Sequence, residues 1–224
     1  MKYLIPSIIL VITAVLFLSC TSKTSSVDTK AAKAVKVINK PSLEGKAKAY
    51  FASGCFWCVE AVYESVRGVD ESISGYSGGH TKNPTYESSN TGRTGHAEAV
   101  EIHYDPDVVS FATLVDVYFG SQNVTQVNGQ GPDRGPQYRS IIFYQNAEEK
   151  KIIDDKIAAL NKELAPDKVA AEVMQFEKFW IGEDYHQDFE KLHPNQSYIR
   201  AVSIPRLKRF QEKFPELLKD DAVH

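Results

Sequence analysis

The chain opens on an apolar run and then changes pattern several times. Residues 3–18 read YLIPSIILVITAVLFL after Lys2, and TSKTSS follows directly after Cys20. The run is shorter than the roughly 20 apolar residues that cross a bilayer, so it reads as an export signal rather than a spanning helix. Residues 21–40 are mostly Ser, Thr, Lys and Ala, a composition that packs no core. From position 48 the polar and apolar positions take on structural periods. Residues 48–52 predict a short strand that ends at Ser53-Gly54. Cys55, Val59, Val62 and Val66 recur at helical offsets, and Gly68 closes that helix. Residues 69–76 and 96–104 alternate as strands; in the second, Glu98, Val100, Ile102 and Tyr104 share one face and Glu101 and His103 the other. Beyond these come a helix over 111–119, a strand over 140–144 and a charged helix over 147–164. A strand near 170–174, a helix near 186–192 and a last helix over 207–214 complete the pattern. Intermixed strands and helices predict an α+β domain, a mixed sheet with helices packed on it. Residues 120–139, GSQNVTQVNGQGPDRGPQYR, break the alternation and read as an ordered functional loop, since Tyr138 runs straight into an apolar strand.

Composition narrows the function. The 224 residues are 42% hydrophobic, with 26 Lys and Arg against 29 Asp and Glu and a net charge of -3. One domain plus appendages accounts for that length. A mildly acidic chain without basic runs is not built to neutralise nucleic-acid phosphate. Cys20, Cys55 and Cys58 are the three cysteines, too few for a disulfide scaffold or a four-cysteine zinc site. No bound metal or cofactor is expected.

Cys55 lies where a strand-Gly turn becomes a helix, and the N-terminal N–H groups and dipole there favour a thiolate. Cys58 is one turn on, within reach of Cys55. The pair reads as a redox or nucleophile-plus-resolver device, or else as two small apolar core residues. Glu98 shares its face with apolar neighbours, where desolvation raises a carboxyl pKa and creates a proton donor near neutral pH. A strand-edge carboxylate paired with Lys or Arg is the alternative. Phe56 and Trp57 form an apolar wall beside the turn, or part of the core.

Gly54-Cys55-Phe56-Trp57-Cys58-Val59-Glu60 resembles the signature of the A-type peptide methionine sulfoxide reductases. The resemblance continues through residues 75–79, 83–86, 94–100, 133–140 and 183–187, and covers roughly 48–215. It implies a two-layer α/β sandwich with a ferredoxin-like core and thiol-dependent reduction of methionine-S-sulfoxide, protein-bound and free. By the same resemblance Cys55 is the nucleophile, Glu98 the proton donor, and Tyr86 and Tyr138 hold the sulfoxide oxygen. Asp133 belongs to that polar network, and Phe56 and Trp57 bind the methyl group. Attack leaves a cysteine sulfenic acid, which a neighbouring thiol condenses to a disulfide; thioredoxin or another dithiol then recycles the enzyme. Relatives often keep resolving cysteines near the C-terminus, but Ser197-Tyr198-Ile199-Arg200 and the tail beyond have none. Cys58 is therefore the expected resolver. A thioredoxin-like disulfide oxidoreductase is the competing reading, and it leaves Glu98, Tyr86 and Tyr138 unexplained.

Ser19-Cys20 after the apolar run resembles a bacterial lipoprotein processing site, with Phe17 where Leu is usual. The resemblance implies a signal over 1–19, lipid on Cys20, a tether over 20–40 and a catalytic domain over 41–224 held outside the cytoplasm. A monomer is expected, whose partners are oxidised proteins, a thioredoxin-like reductant and the membrane.

Overall fold

The computed structural model describes residues 43–222. The expected signal, tether and Cys20 lie outside the described residues. Strand β1 (Ala47–Ala52) passes through Ser53 and Gly54 into helix α1 (Phe56–Glu64), followed by β2 (Val69–Ser77), α2 (Tyr86–Asn90), β3 (Ala97–Tyr104) and α3 (Phe111–Gly120). A small hairpin of β4 (Gly129–Gln130) and β5 (Asp133–Arg134) precedes β6 (Ile141–Tyr144), α4 (Ala147–Glu163), β7 (Glu172–Gln175) and β8 (Phe179–Ile181). Two helices follow, α5 (Phe189–Leu192) and α6 (Ile204–Lys213).

The main sheet has the order β7-β6-β1-β3-β2-β8, antiparallel throughout except for the parallel β6–β7 pair. Its inner four strands, β6-β1-β3-β2, with α1 and α3 as crossovers, form the ferredoxin-like split βαβ arrangement. Helices pack on the sheet, as the intermixed pattern predicts for the α+β class. At its centre Phe51 pairs in register with Val100 and Ile142. Phe51 stacks on Tyr63 of α1 at 5.1 Å and lies 5.5 Å from Tyr118 of α3. Both tyrosines are fully buried, and each hydroxyl has a carbonyl: Tyr63 donates to Leu114 O at 3.1 Å, Tyr118 to Ala52 O at 3.0 Å. Burial of each such ring contributes about 1.5–3 kcal/mol, and these hydrogen bonds keep the hydroxyls from cancelling it.

All eight residues of β3 are buried, although the alternation predicts one wet face. The back of the sheet carries its own apolar cluster of Tyr50, Ala52, Ala97, Ala99, Ile141 and Phe143, covered by Phe176 and Phe179. Glu101 and His103 pair with each other at 2.7 Å, and Lys48 reaches Glu101 at 3.0 Å. The 120–139 segment is ordered, containing the β4–β5 hairpin and a 3-10 turn at Pro136–Tyr138. The helix expected over 186–192 shortens to α5, because Asp188 takes a left-handed φ of 54° and gives its N–H to Glu60. The last helix begins at Ile204 after a π-helical turn, Ile199–Ser203.

Candidate active site

Gly54 has φ +75°, and a Cβ there would lie 2.6 Å from Gln130 Cβ, so an L side chain fits neither the backbone nor the space. That turn sets Cys55 as the N-cap of α1. Arg206, reaching in from α6, fixes the same turn: Nη1 donates to Ser53 O and Nη2 to Ser53 Oγ, both at 2.9 Å, and Nε donates to Ser121 O at 2.8 Å.

Helix α1 lacks a side-chain cap from its own N-cap residue, unlike α3 and α4, which Ser110 and Asn146 cap. Its first N–H, on Phe56, donates instead to Glu98 Oε2 at 3.0 Å. Glu98 is 2% exposed. Burial pushes its carboxyl up to about 8 against that one N–H, and the Asp133 charge adds to the rise. At neutral pH Glu98 is therefore largely an un-ionised acid, one residue from the Cys55 thiol.

Cys55 and Cys58 are both reduced and buried. Burial pushes the Cys55 thiol well up, with the hydrogen bond to Cys58 and the Cys58 charge adding to the rise. Cys58 is held down at about 7 by the hydrogen bond from Cys55, and the Arg206 charge and the Ser203 and Tyr198 hydroxyls add to this. Of the two thiols, Cys58 is thus the one pushed toward the thiolate and Cys55 the one pushed away from it. The sequence predicts the thiolate on Cys55; in the fold the first N–H of that helix, on Phe56, goes to Glu98.

Around Cys55 stands an aromatic box. Phe56 lies 5.8 Å from Tyr76, 6.4 Å from Tyr86 and 6.1 Å from Trp57. His186 touches Phe56 at 4.7 Å and Tyr86 at 4.6 Å, and Trp57 stacks on Phe189 at 3.8 Å. Trp57 Nε1–H donates to His186 Nδ1 at 3.1 Å, which puts the His186 proton on Nε2. Burial pushes His186 down, so the ring is neutral at pH 7. Glu183 ties the box together, accepting from Tyr76 Oη at 2.8 Å and from Tyr86 N–H at 2.9 Å.

Tyr138, from the 3-10 turn, donates to Asn90 Oδ1 at 3.4 Å, and Asn90 also binds the Tyr86 hydroxyl. Burial raises both phenols, which stay protonated donors near the Glu98 carboxyl. Asp133 stands on the Cys58 side. It accepts the Tyr198 hydroxyl at 2.6 Å, and the same hydroxyl lies 3.7 Å from Cys58 Sγ. The fold thus gathers Cys55, Cys58, Phe56, Trp57, Tyr86, Glu98 and Tyr138 at one end of α1, with Asp133 joined to them through Tyr198.

Sequence reasoning passes over Tyr198, Arg206, Glu183 and His186. Glu183 and His186 fall inside the matching 183–187 motif without a role, and Tyr198 sits in the segment remarked on only for lacking cysteine. Glu60, Glu64 and Asp188 bring carboxylate oxygens within 4.8 Å of one another. Both Glu60 oxygens are engaged, by Ser74 Oγ–H and the Asp188 N–H. Burial raises Glu60 to about 9 and Glu64 to about 7. A neutral buried acid, two phenol donors, an apolar box and a pair of thiols suit delivery of a proton to an oxygen while sulfur is attacked nearby.

Comparisons agree with this chemistry. The family model described as "Peptide methionine sulfoxide reductase" matches residues 47–218. The chain is 44% identical over 172 residues to peptide methionine sulfoxide reductase MsrA of Pasteurella multocida, covering 77% of this chain and 98% of that protein. It is 44% identical to MsrA of Saccharolobus solfataricus, over 76% of this chain and 96% of that protein. The fold superposes on methionine sulfoxide reductase A of Corynebacterium diphtheriae with a TM-score of 0.62 and 30% identity, covering 68% of this chain and 77% of that one. Neither the match nor the site fits a thioredoxin-like oxidoreductase: the chain belongs to the peptide methionine sulfoxide reductase family.

Proposed function

We propose that the enzyme reduces the S epimer of methionine sulfoxide, in proteins and as the free amino acid, with Cys55 as nucleophile and Glu98 as proton donor. The observation that carries this reading is the buried Glu98 carboxyl, bonded to the N–H directly after Cys55 and raised to about 8. The substrate methyl enters the box of Phe56 and Trp57, and the sulfoxide oxygen meets the hydroxyls of Tyr86 and Tyr138. Sulfoxide oxygen is a poor leaving group until protonated, so the Glu98 proton and the phenol donors act where charge develops. A proton passes from Cys55 to Cys58 and frees the Cys55 thiolate to attack the sulfoxide sulfur. Methionine leaves, the oxygen stays on Cys55 as a sulfenic acid, and the Glu98 proton is on that oxygen. Cys58 then attacks the Cys55 sulfur, expelling water and closing a Cys55–Cys58 disulfide. A dithiol, thioredoxin being the expected one, reduces it by thiol exchange.

The reading extends to location. Residues 1–19 act as an export signal removed before Cys20, which carries lipid; residues 20–40 tether the catalytic domain, 41–224, outside the cytoplasm. The apolar run from 3 to 18, Ser19-Cys20 and the polar residues after it support this. Palmitate labelling of the wild type that is lost in Cys20→Ala is the expected result; an unlabelled wild type refutes the anchor. For the chemistry, methionine release in a single turnover without reductant, accompanied by a Cys55–Cys58 linkage in peptide maps, is expected. Methionine release with both thiols still free refutes the disulfide step.

A further inference from the structure

The two sides of the Cys55–Cys58 pair differ in character. Cys58 lines a cavity of about 740 Å³ that none of Cys55, Phe56, Trp57, Tyr86, Glu98 and Tyr138 borders. One wall is a face of α6 carrying Arg206, Arg209 and Lys213, which stand three and four residues apart and so form a single stripe. Asp133 is the one carboxylate among the lining residues, and it already holds the Tyr198 hydroxyl. Arg206 gives its N–H groups to Ser53 and Ser121, and its charge acts on Asp133 and on Cys58 rather than being spent in an ion pair. Arg209 and Lys213 are exposed and make no ion pair among the described residues; Lys213 only overlies the Phe214 ring at 5.1 Å. In a chain whose net charge is -3, this is a locally cationic cavity ending at a sulfur.

We propose that this cavity is a second port for electrons, beside the route from thioredoxin, and that it takes a low-molecular-weight thiol carrying carboxylates. The proposal rests on the reading of Cys58 as the resolving thiol. The cavity volume matches that of small-ligand sites, and Cys58, though only 2% exposed, forms part of its wall. Cationic walls raise the local concentration of an anionic reductant. The step balances as follows. The incoming thiolate attacks Cys58 Sγ of the disulfide, the Cys58–Cys55 bond breaks, and Cys55 leaves as a thiolate that takes up a proton. A second thiol of the reductant, or of a second reductant molecule, attacks the reductant's sulfur in the mixed disulfide. Cys58 departs as a thiolate and the reductant leaves oxidised, having supplied two electrons.

The test uses two dithiols, dimercaptosuccinate as the anionic probe and dithiothreitol as the neutral one. The enzyme is first taken through one turnover with methionine sulfoxide, and the disulfide is scored by peptide mapping. Its reduction by each probe is then followed by stopped-flow tryptophan fluorescence, for the wild type and for Arg209→Gln/Lys213→Gln. The double variant should lower the dimercaptosuccinate rate constant by about tenfold at low salt and leave the dithiothreitol rate within about twofold. The difference should collapse between about 10 mM and about 1 M salt, as screening shortens from roughly 30 to 3 Å. An unchanged ratio of the two rates, or equal slowing of both, overturns the port. A missing Cys55–Cys58 linkage at the scoring step overturns it too, by a separate route that strikes the resolver reading first.

Discussion

Replacing Glu98 by glutamine keeps a carbonyl oxygen for the Phe56 N–H but removes the titratable proton, so the variant isolates the energetics of one buried carboxyl. In the fold the Glu98 pKa stands at about 8 against an ordinary value of 4.5. A group whose folded pKa is raised contributes stability that is complete below its unfolded pKa and is lost as pH rises through the folded one. The loss attached to Glu98 therefore accumulates between about pH 4.5 and about pH 8. At about 1.4 kcal/mol per pH unit it reaches about 5 kcal/mol as an upper figure. Glu60 and Glu64, raised to about 9 and about 7, act with the same sign, but they are present in both proteins and cancel in the comparison. The assay is urea unfolding of wild type and Glu98→Gln at pH 5 and pH 8.5. Between those conditions the wild type should lose several kcal/mol more than the variant, of the order of the figure above. Reductase activity of the variant should fall by about 10²- to 10⁴-fold, the range for a lost general acid. Equal pH dependence in the two proteins would mean that Glu98 is ionised at neutral pH, and the proton-donor reasoning would fail.

Other consequences follow from the same geometry. Cys58→Ser should release about one methionine per enzyme and then stop cycling with a dithiol; sustained cycling removes Cys58 from the resolving role. Tyr198→Phe deletes the hydroxyl between Cys58 Sγ and Asp133. The pH profile of Cys58 alkylation should move upward from about 7 in that variant, and an unmoved profile would show that the hydroxyl does not act on this thiol. Arg206→Met strips hydrogen bonds from Ser53 O, Ser53 Oγ and Ser121 O. It should cost about 3 kcal/mol in urea unfolding, with slower methionine release as the Cys55 turn loosens; an unchanged midpoint refutes the clamp.

Much of the fold is legible in local pattern because the inner strands and helices α1 and α3 each carry a full period of buried positions. The helical spacing from Cys55 to Val66 and the paired strands around Phe51 are of that kind. The short elements are not: α2 has five residues and β8 three, too few for any period to register. The apolar back of the sheet hides as well, since burial of both faces of β3 depends on Phe176 and Phe179, remote in the chain. In the site, Cys55, Phe56, Trp57 and Glu98 stand out by local context. Tyr198 and Arg206 do not, because Cys58 meets Tyr198 across 140 positions and Ser53 meets Arg206 across 153. The side of the pair that carries the charge is equally hidden. A helix N-terminus read alone favours a Cys55 thiolate, whereas burial and the neighbouring Cys58 push Cys55 the other way, and Glu98, arriving from β3, takes the first N–H of the helix.

The account turns on one pair of reactions. Dabsylated methionine-S-sulfoxide and methionine-R-sulfoxide are offered separately to wild type and to Cys55→Ser with dithiothreitol. Turnover of the S epimer alone by the wild type, and of neither by Cys55→Ser, is the predicted result. Turnover of the R epimer, or S turnover that survives Cys55→Ser, contradicts it.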